Sequence, residues 1–171
     1  TFTRNFPTLW LWKNVMKKIV VVSALLAALT LTGCASVPLA SNSESVKAKS
    51  FPVPSEGHSG LYVYRDSFAG KALKKDVYLD GKCVGETADK VFFYQQIESG
   101  KPHVLATESE FSPNNLPLNN TVSGQNYFVR QYIKMGVFVG GAGLELVPEA
   151  EGKRVVSKPD VKLALGGNCD N

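Results

Sequence analysis

The sequence is poor in the side chains that carry chemistry. Two histidines, His58 and His103, and three cysteines, Cys34, Cys83 and Cys169, are spread over 171 residues. No CxxC or HxxxH spacing occurs, so no zinc pattern is present and no metal is expected. There is no Gly-x-Ser-x-Gly elbow and no Lys-Ser/Thr after the glycines of "GVFVGGAGLEL", which argues against an α/β-hydrolase nucleophile and a phosphate loop. No acid precedes Cys34, whereas Arg4, Lys13, Lys17 and Lys18 do. The remaining 15 basic residues therefore balance the 15 acidic ones, and a neutral domain lacks the footprint that nucleic-acid binding needs. No apolar run reaches the roughly 20 residues of a spanning helix.

The longest apolar run, residues 19–31, stands in "MKKIVVVSALLAALTLTGCASV". A lysine head, a short apolar core and a small-residue ending describe an export signal over residues 16–33. The ending Leu31-Thr32-Gly33-Cys34 resembles a bacterial lipobox, in which the cysteine is acylated and becomes the new N-terminus. The thiol is the nucleophile that takes diacylglycerol, and more than one acyl chain is needed for stable anchoring. Resemblance to Gram-negative lipoproteins adds a sorting cue. An aspartate after the cysteine tends to retain such proteins in the inner membrane, whereas Ala35 and Ser36 follow here, which implies the periplasmic face of the outer membrane. Residues 1–15 precede a good start at Met16 and read as an over-extension of the reading frame.

Residues 34–58 are then the lipidated cysteine and a flexible tether, because "ASVPLASNSESVKAKSFPVPSEGH" has no sustained apolar period. Residues 59–171 read as an all-β sandwich of about seven short strands with a short C-terminal helix after Pro148. "GLYVYRD" places Leu61 and Val63 on one face and Tyr62 and Tyr64 on the other. Asp80-Gly81 between two β-prone runs predicts a two-residue hairpin. "KVFFYQQIESGKPHVLATE" gives two more strands, "FSPNNLPLNN" a polar loop, and "GQNYFVRQYI" and "GVFVGGAGLELV" the last two strands. The glycines of that last strand predict a bulge or a close backbone approach.

Three stretches, "LYVYRDSFAGKALKKDVYLDGKCVGE", "SGKPHVLATESEFSPNNLPL" and "GQNYFVRQYIKMGVFVGGAGLELV", resemble the bacterial lipoprotein family known as domain of unknown function 2846. The resemblance implies a small, mostly β, periplasm-facing domain and brings no catalytic residue with it.

With Cys34 taken by lipid, Cys83 and Cys169 are an even pair in an oxidising compartment and are expected to form a disulfide, the alternative being two independent thiols. His58 stands at the end of the tether and His103 follows Pro102 beside a turn, so both are expected at the surface. Arg130 shares a strand face with Phe128 and Tyr132, a set that could contact a sugar or a carboxylate. The alternative is an outer-face arginine paired with a glutamate. No catalytic residue and no cofactor are assigned. The expected role is a lipid-anchored, non-catalytic binding or structural module of the cell envelope. It would meet the membrane through its anchor and touch an envelope protein or glycan. An envelope hydrolase, or an accessory or sensor subunit of an envelope system, is the alternative.

Overall fold

The computed structural model describes residues 35–109, 114–136 and 140–169. The leader, the segment ahead of it and Cys34 lie outside the described residues. Among the described residues nine strands form: β1 (His58–Arg65), β2 (Lys75–Leu79), β3 (Lys82–Thr87), β4 (Val91–Glu98), β5 (His103–Thr107), β6 (Asn114–Leu118), β7 (Asn126–Lys134), β8 (Gly141–Val147) and β9 (Lys162–Leu163). Helix α1 (Asn42–Lys49) precedes them, and α2 (Glu149–Val156) lies between β8 and β9. The strands make a five-stranded sheet in the order β8-β7-β1-β4-β9 and a four-stranded sheet in the order β3-β2-β5-β6.

The two sheets bury one core between them. Leu61, Val63, Phe93, Ile97 and Val129 from the first meet Val77, Val84, Leu105 and Leu118 from the second. Strand β1 sits at the centre, antiparallel to β4 and parallel to β7. It is buried on both faces, which is why it reads as a nearly unbroken apolar run. Its alternate residues Tyr62 and Tyr64 join Phe92 and Phe128 in a second cluster, covered by Ala48 of α1 and by Val155 and Val156 of α2. The Tyr62 ring lies 4.8 Å from Phe128 and 4.6 Å from Tyr94, centroid to centroid. Full burial of each such ring is worth about 2–3 kcal/mol.

The Asp80-Gly81 hairpin forms as expected. Leu79 pairs with Lys82, and both turn residues have positive φ, 50° and 76°. Strands β4 and β5, although joined by a short turn, lie in different sheets, so the chain crosses the sandwich at residues 99–102. The expected loop before Asn126 contains an additional strand, β6, paired with β5 through Leu105↔Leu116 and His103↔Leu118. The strand expected from "GVFVGGAGLELV" is β8, which begins at Gly141, and its Gly143 serves close approach. A Cβ on Gly143 would fall 2.5 Å from the Tyr132 ring across the ladder.

Residues 35–58 are not a tether. Ser41 caps α1 in a reciprocal box: its side chain accepts from the Glu44 N–H, and the Glu44 carboxylate accepts from the Ser41 N–H at 3.0 Å. Val37 is in the main core, and the Ala48 carbonyl accepts from the Tyr62 hydroxyl at 2.9 Å. Leu39 bridges to Ala164, with Ala40 N–H donating to Leu163 O and Leu165 N–H to Pro38 O. The segment lacks an apolar period because its contacts come from a few scattered residues, Val37 and Phe51 among them, and from the small Ser45 and Ala48.

Candidate functional site

The residues expected to contact a ligand do share a face of β7, but they do not form an open set. Phe128 is wholly buried, and α2 lies flush on it. A Cβ on Gly152 would fall 2.2 Å from the Phe128 ring. Phe128 is therefore a core residue, which corrects the expectation. Arg130 forms an ion pair with Glu145, its partner across the β7–β8 ladder. Tyr132 stands over Gly143, with the Lys134 ammonium 5.7 Å from its ring. Beside Arg130, burial pushes the Tyr64 phenol up to about 12, with Glu151 adding to the rise, so it stays neutral near pH 7.

His103 is also not where its turn suggested. It is 9% exposed and lies under the tip of the β2–β3 hairpin. Its Nδ1 is 2.7 Å from Asp80 Oδ2 and its Nε2 is 2.9 Å from the Glu98 carbonyl oxygen. Both neighbours are acceptors, so the ring donates from both nitrogens and is an imidazolium. Asp80 Oδ1 accepts from the Val104 N–H at 2.8 Å, which fixes the turn. Burial opposes the imidazolium, but the Asp80 and Glu98 contacts outweigh it and hold the pKa above the ordinary 6.5. Burial likewise opposes the Asp80 carboxylate, and His103 with the Val104 N–H holds its pKa below 3.8.

These groups border an open groove of about 250 Å³, with Leu79, Val84 and Ile97 as its apolar floor and Lys82 and Gln95 at its sides. With both ring nitrogens facing acceptors, His103 offers no lone pair into the groove, which has room for a small polar group. His58 makes a different contact. Ser55 Oγ lies 3.2 Å from His58 Nδ1, yet that hydroxyl donates to Gln96 Oε1 at 2.6 Å. The same ring nitrogen is 3.0 Å from the Glu56 carbonyl, so this is a local turn contact. Among the described residues no group of three or more His, Cys, Asp or Glu is placed to hold a metal.

The His103–Asp80 pair gives the fold a pH dependence. A raised imidazole pKa contributes stability that is complete below the unfolded value of about 6.5 and is lost as pH rises through the folded one. The lowered Asp80 pKa acts on the acid side, where its contribution is lost as pH falls through it. Stability relative to His103→Asn is therefore greatest between those limits. It should shrink by about 0.5–1 kcal/mol on the alkaline side, a modest figure because Asp80 is half exposed. Thermal melts of both proteins from pH 5 to 9 check this; a pH-independent difference contradicts it.

Cys83 and Cys169 are joined by a disulfide, with Cα atoms 5.9 Å apart. The chain before it runs along the edge of β3, where Gly167 N–H donates to the Val84 carbonyl. The bridge thus fastens the C-terminal tail to the hairpin that borders the groove.

Arg65 carries a role that sequence reasoning did not assign. It points between the sheets, on the face of Leu61 and Val63, and is fully buried. One guanidinium nitrogen donates to the Leu73 carbonyl at 2.8 Å and another to the Gly70 carbonyl. Burial draws its pKa down, and Asp89 opposes the shift. Beside it lies a chain of buried polar groups. Gln131 Nε2 donates to Thr107 Oγ1 at 2.7 Å, and Thr107 donates to the Asp76 carbonyl at 2.6 Å. Arg65 therefore pins the 66–74 loop to the end of the sandwich.

Comparison with known proteins identifies the family. Residues 55–142, just over half of the chain, match the family described as protein of unknown function (DUF2846). A Haemophilus influenzae (strain Rd) protein described as uncharacterized is 58% identical over 137 residues, which cover 80% of each chain. The matched family segment includes every strand from β1 to β7, the residues that line the groove and the Arg65 loop. The chain belongs to the DUF2846 family.

Proposed function

We propose that this protein is a lipoprotein, acylated at Cys34 and held at the periplasmic face of the outer membrane. Its β-sandwich serves there as a non-catalytic binding or structural module of the cell envelope. The observation that carries the reading is the ordered run of Lys17-Lys18, a short apolar core and Leu31-Thr32-Gly33-Cys34. A disulfide between the two remaining cysteines suits an exported domain. A groove whose only histidine has both ring nitrogens engaged suits binding better than hydrolysis. Envelope proteins and glycans are the partners considered, and the groove beside Asp80, Lys82 and Gln95 is the place for them.

Metabolic labelling with palmitate tests the reading. The wild-type chain takes label and runs at its processed size, whereas Cys34→Ser accumulates as unlabelled precursor. Equal labelling of the Cys34→Ser chain would refute acylation at this residue.

A further inference from the structure

We propose that the end of the sandwich bearing Phe68 and Met135 rests on the surface of the bilayer, with the Phe68 ring in the interfacial layer. The proposal rests on the lipid-anchor reading and adds an orientation to it. The first observation is the missing slack. Ala35 N–H donates to the Lys71 carbonyl at 3.0 Å, and Val37 is already in the core. Cys34 is one peptide unit from Ala35, about 3.8 Å between Cα atoms, so its acyl chains would leave the protein beside the 66–74 loop. An anchor attached without a tether brings that end of the domain to the lipid.

The second observation is what that end displays. Phe68 is 87% exposed and Met135 is 95% exposed, two of the most exposed large apolar side chains described. Their loops are neighbours: Gly70 lies against Ile133, and Gly140 against Leu73. The Phe68 loop is not left loose. Arg65 holds its Gly70 and Leu73 carbonyls, and Ser67 N–H donates to Asp89 at 2.9 Å. A firmly held loop with an apolar tip in water is a surface waiting for a nonaqueous partner.

The third observation is charge. The Lys71 ammonium lies 4.6 Å over the Phe68 ring, and Lys134 adjoins Met135; neither is in an ion pair among the described residues. Most acids nearby are ion-paired: Glu86 with Lys74, Glu108 with Lys75, and Asp66 with Lys90 and Lys158; Asp89 instead accepts from the Ser67 N–H and acts on the buried Arg65. Lys134 donates to Asn114 Oδ1 at 2.8 Å, a neutral partner that leaves its charge uncompensated. Ammonium groups without a carboxylate partner beside an aromatic ring suit anionic headgroups, which lysines reach while their stems lie along apolar surface.

The processed protein offers a tryptophan-free background, because both tryptophans, Trp10 and Trp12, precede Cys34. Phe68→Trp therefore introduces a single fluorophore, and Val53→Trp gives a control beside Gly124 at the opposite end of the sandwich. Each full-length chain is expressed in a Gram-negative host, purified in detergent and reconstituted into phosphatidylethanolamine–phosphatidylglycerol vesicles, with or without brominated acyl chains. Phe68→Trp should shift to the blue and lose at least half its emission to bromine, and Val53→Trp should do neither. Unquenched Phe68→Trp in protein whose mass shows acyl chains on Cys34 overturns the orientation while leaving the anchor intact. That is also the result if the tip is covered by a protein. If the mass shows no acyl chains, the anchor reading fails. Flotation with these vesicles, together with bromine quenching beyond that of the unsubstituted chain with its Trp10 and Trp12, then keeps the loop contact, and any other result overturns it.

Discussion

Replacing Arg65 with alanine should cost about 4 kcal/mol of folding stability, among the largest effects of any single side chain here. Two losses combine. A fully buried side chain is removed from between the sheets, and the Gly70 and Leu73 carbonyls lose their charged donor. Arg65→Met, which keeps much of the volume but none of the donors, isolates the polar share at about 2 kcal/mol. For a domain of this size those values correspond to melting temperatures lower by roughly 12 °C and 6 °C. Denaturant titration of the three proteins measures the order. A value for Arg65→Ala within about 0.5 kcal/mol of wild type, the range of ordinary surface substitutions, would mean the loop is held by other contacts.

Opening the Cys83–Cys169 bridge should be comparably costly. The bond closes a separation of 86 residues, which in the chain-entropy model is worth up to about 4.6 kcal/mol. The tail it holds also covers the edge of β3 through Gly167. Because one bond has two ends, Cys83→Ser, Cys169→Ser and the double variant should all lose the same amount, about 2–5 kcal/mol. Stability measurements with and without reductant separate this from side-chain effects, since reductant should affect only the wild type. Additive losses in the double variant, or a wild type indifferent to reductant, would contradict the account.

Most of the sheet framework is legible in the sequence because the strands alternate cleanly or, in β1, run apolar on both faces. The Asp80-Gly81 turn is legible because only a few residues accept positive φ. The parts that escape are held by other means. In α1, Asn42–Lys49, the buried residues are Ser45 and Ala48, and its one large apolar side chain, Val46, faces outward. Only the Ser41-to-Glu44 capping spacing marks it. Strand β6 reads as a loop because it holds Asn114, Asn115 and Pro117 on a sheet edge, where a missing N–H is tolerated. Gly152 interrupts the helical pattern of α2, yet it is the residue that lets the helix settle on Phe128.

The site residues divide in the same way. The cysteine pair follows from counting, once Cys34 is set aside for lipid and an oxidising compartment is expected. The burial of Phe128, Arg65 and His103 does not follow from their neighbours, because each is covered by a segment remote in sequence or by a turn that folds back. Phe128 lies under α2, and His103 lies under Asp80. Arg65 lies under its own following loop, at a strand end where an arginine ordinarily marks the surface.

The most direct test of the account is the intact mass of the protein taken from the outer-membrane fraction of cells expressing the full chain. The account predicts a polypeptide that begins at Cys34 and carries a diacylglyceryl group with its acyl chains. It also predicts a mass two protons below that of a chain with Cys83 and Cys169 reduced. A chain that retains residues before Cys34, or one that begins there with a free thiol, would contradict it.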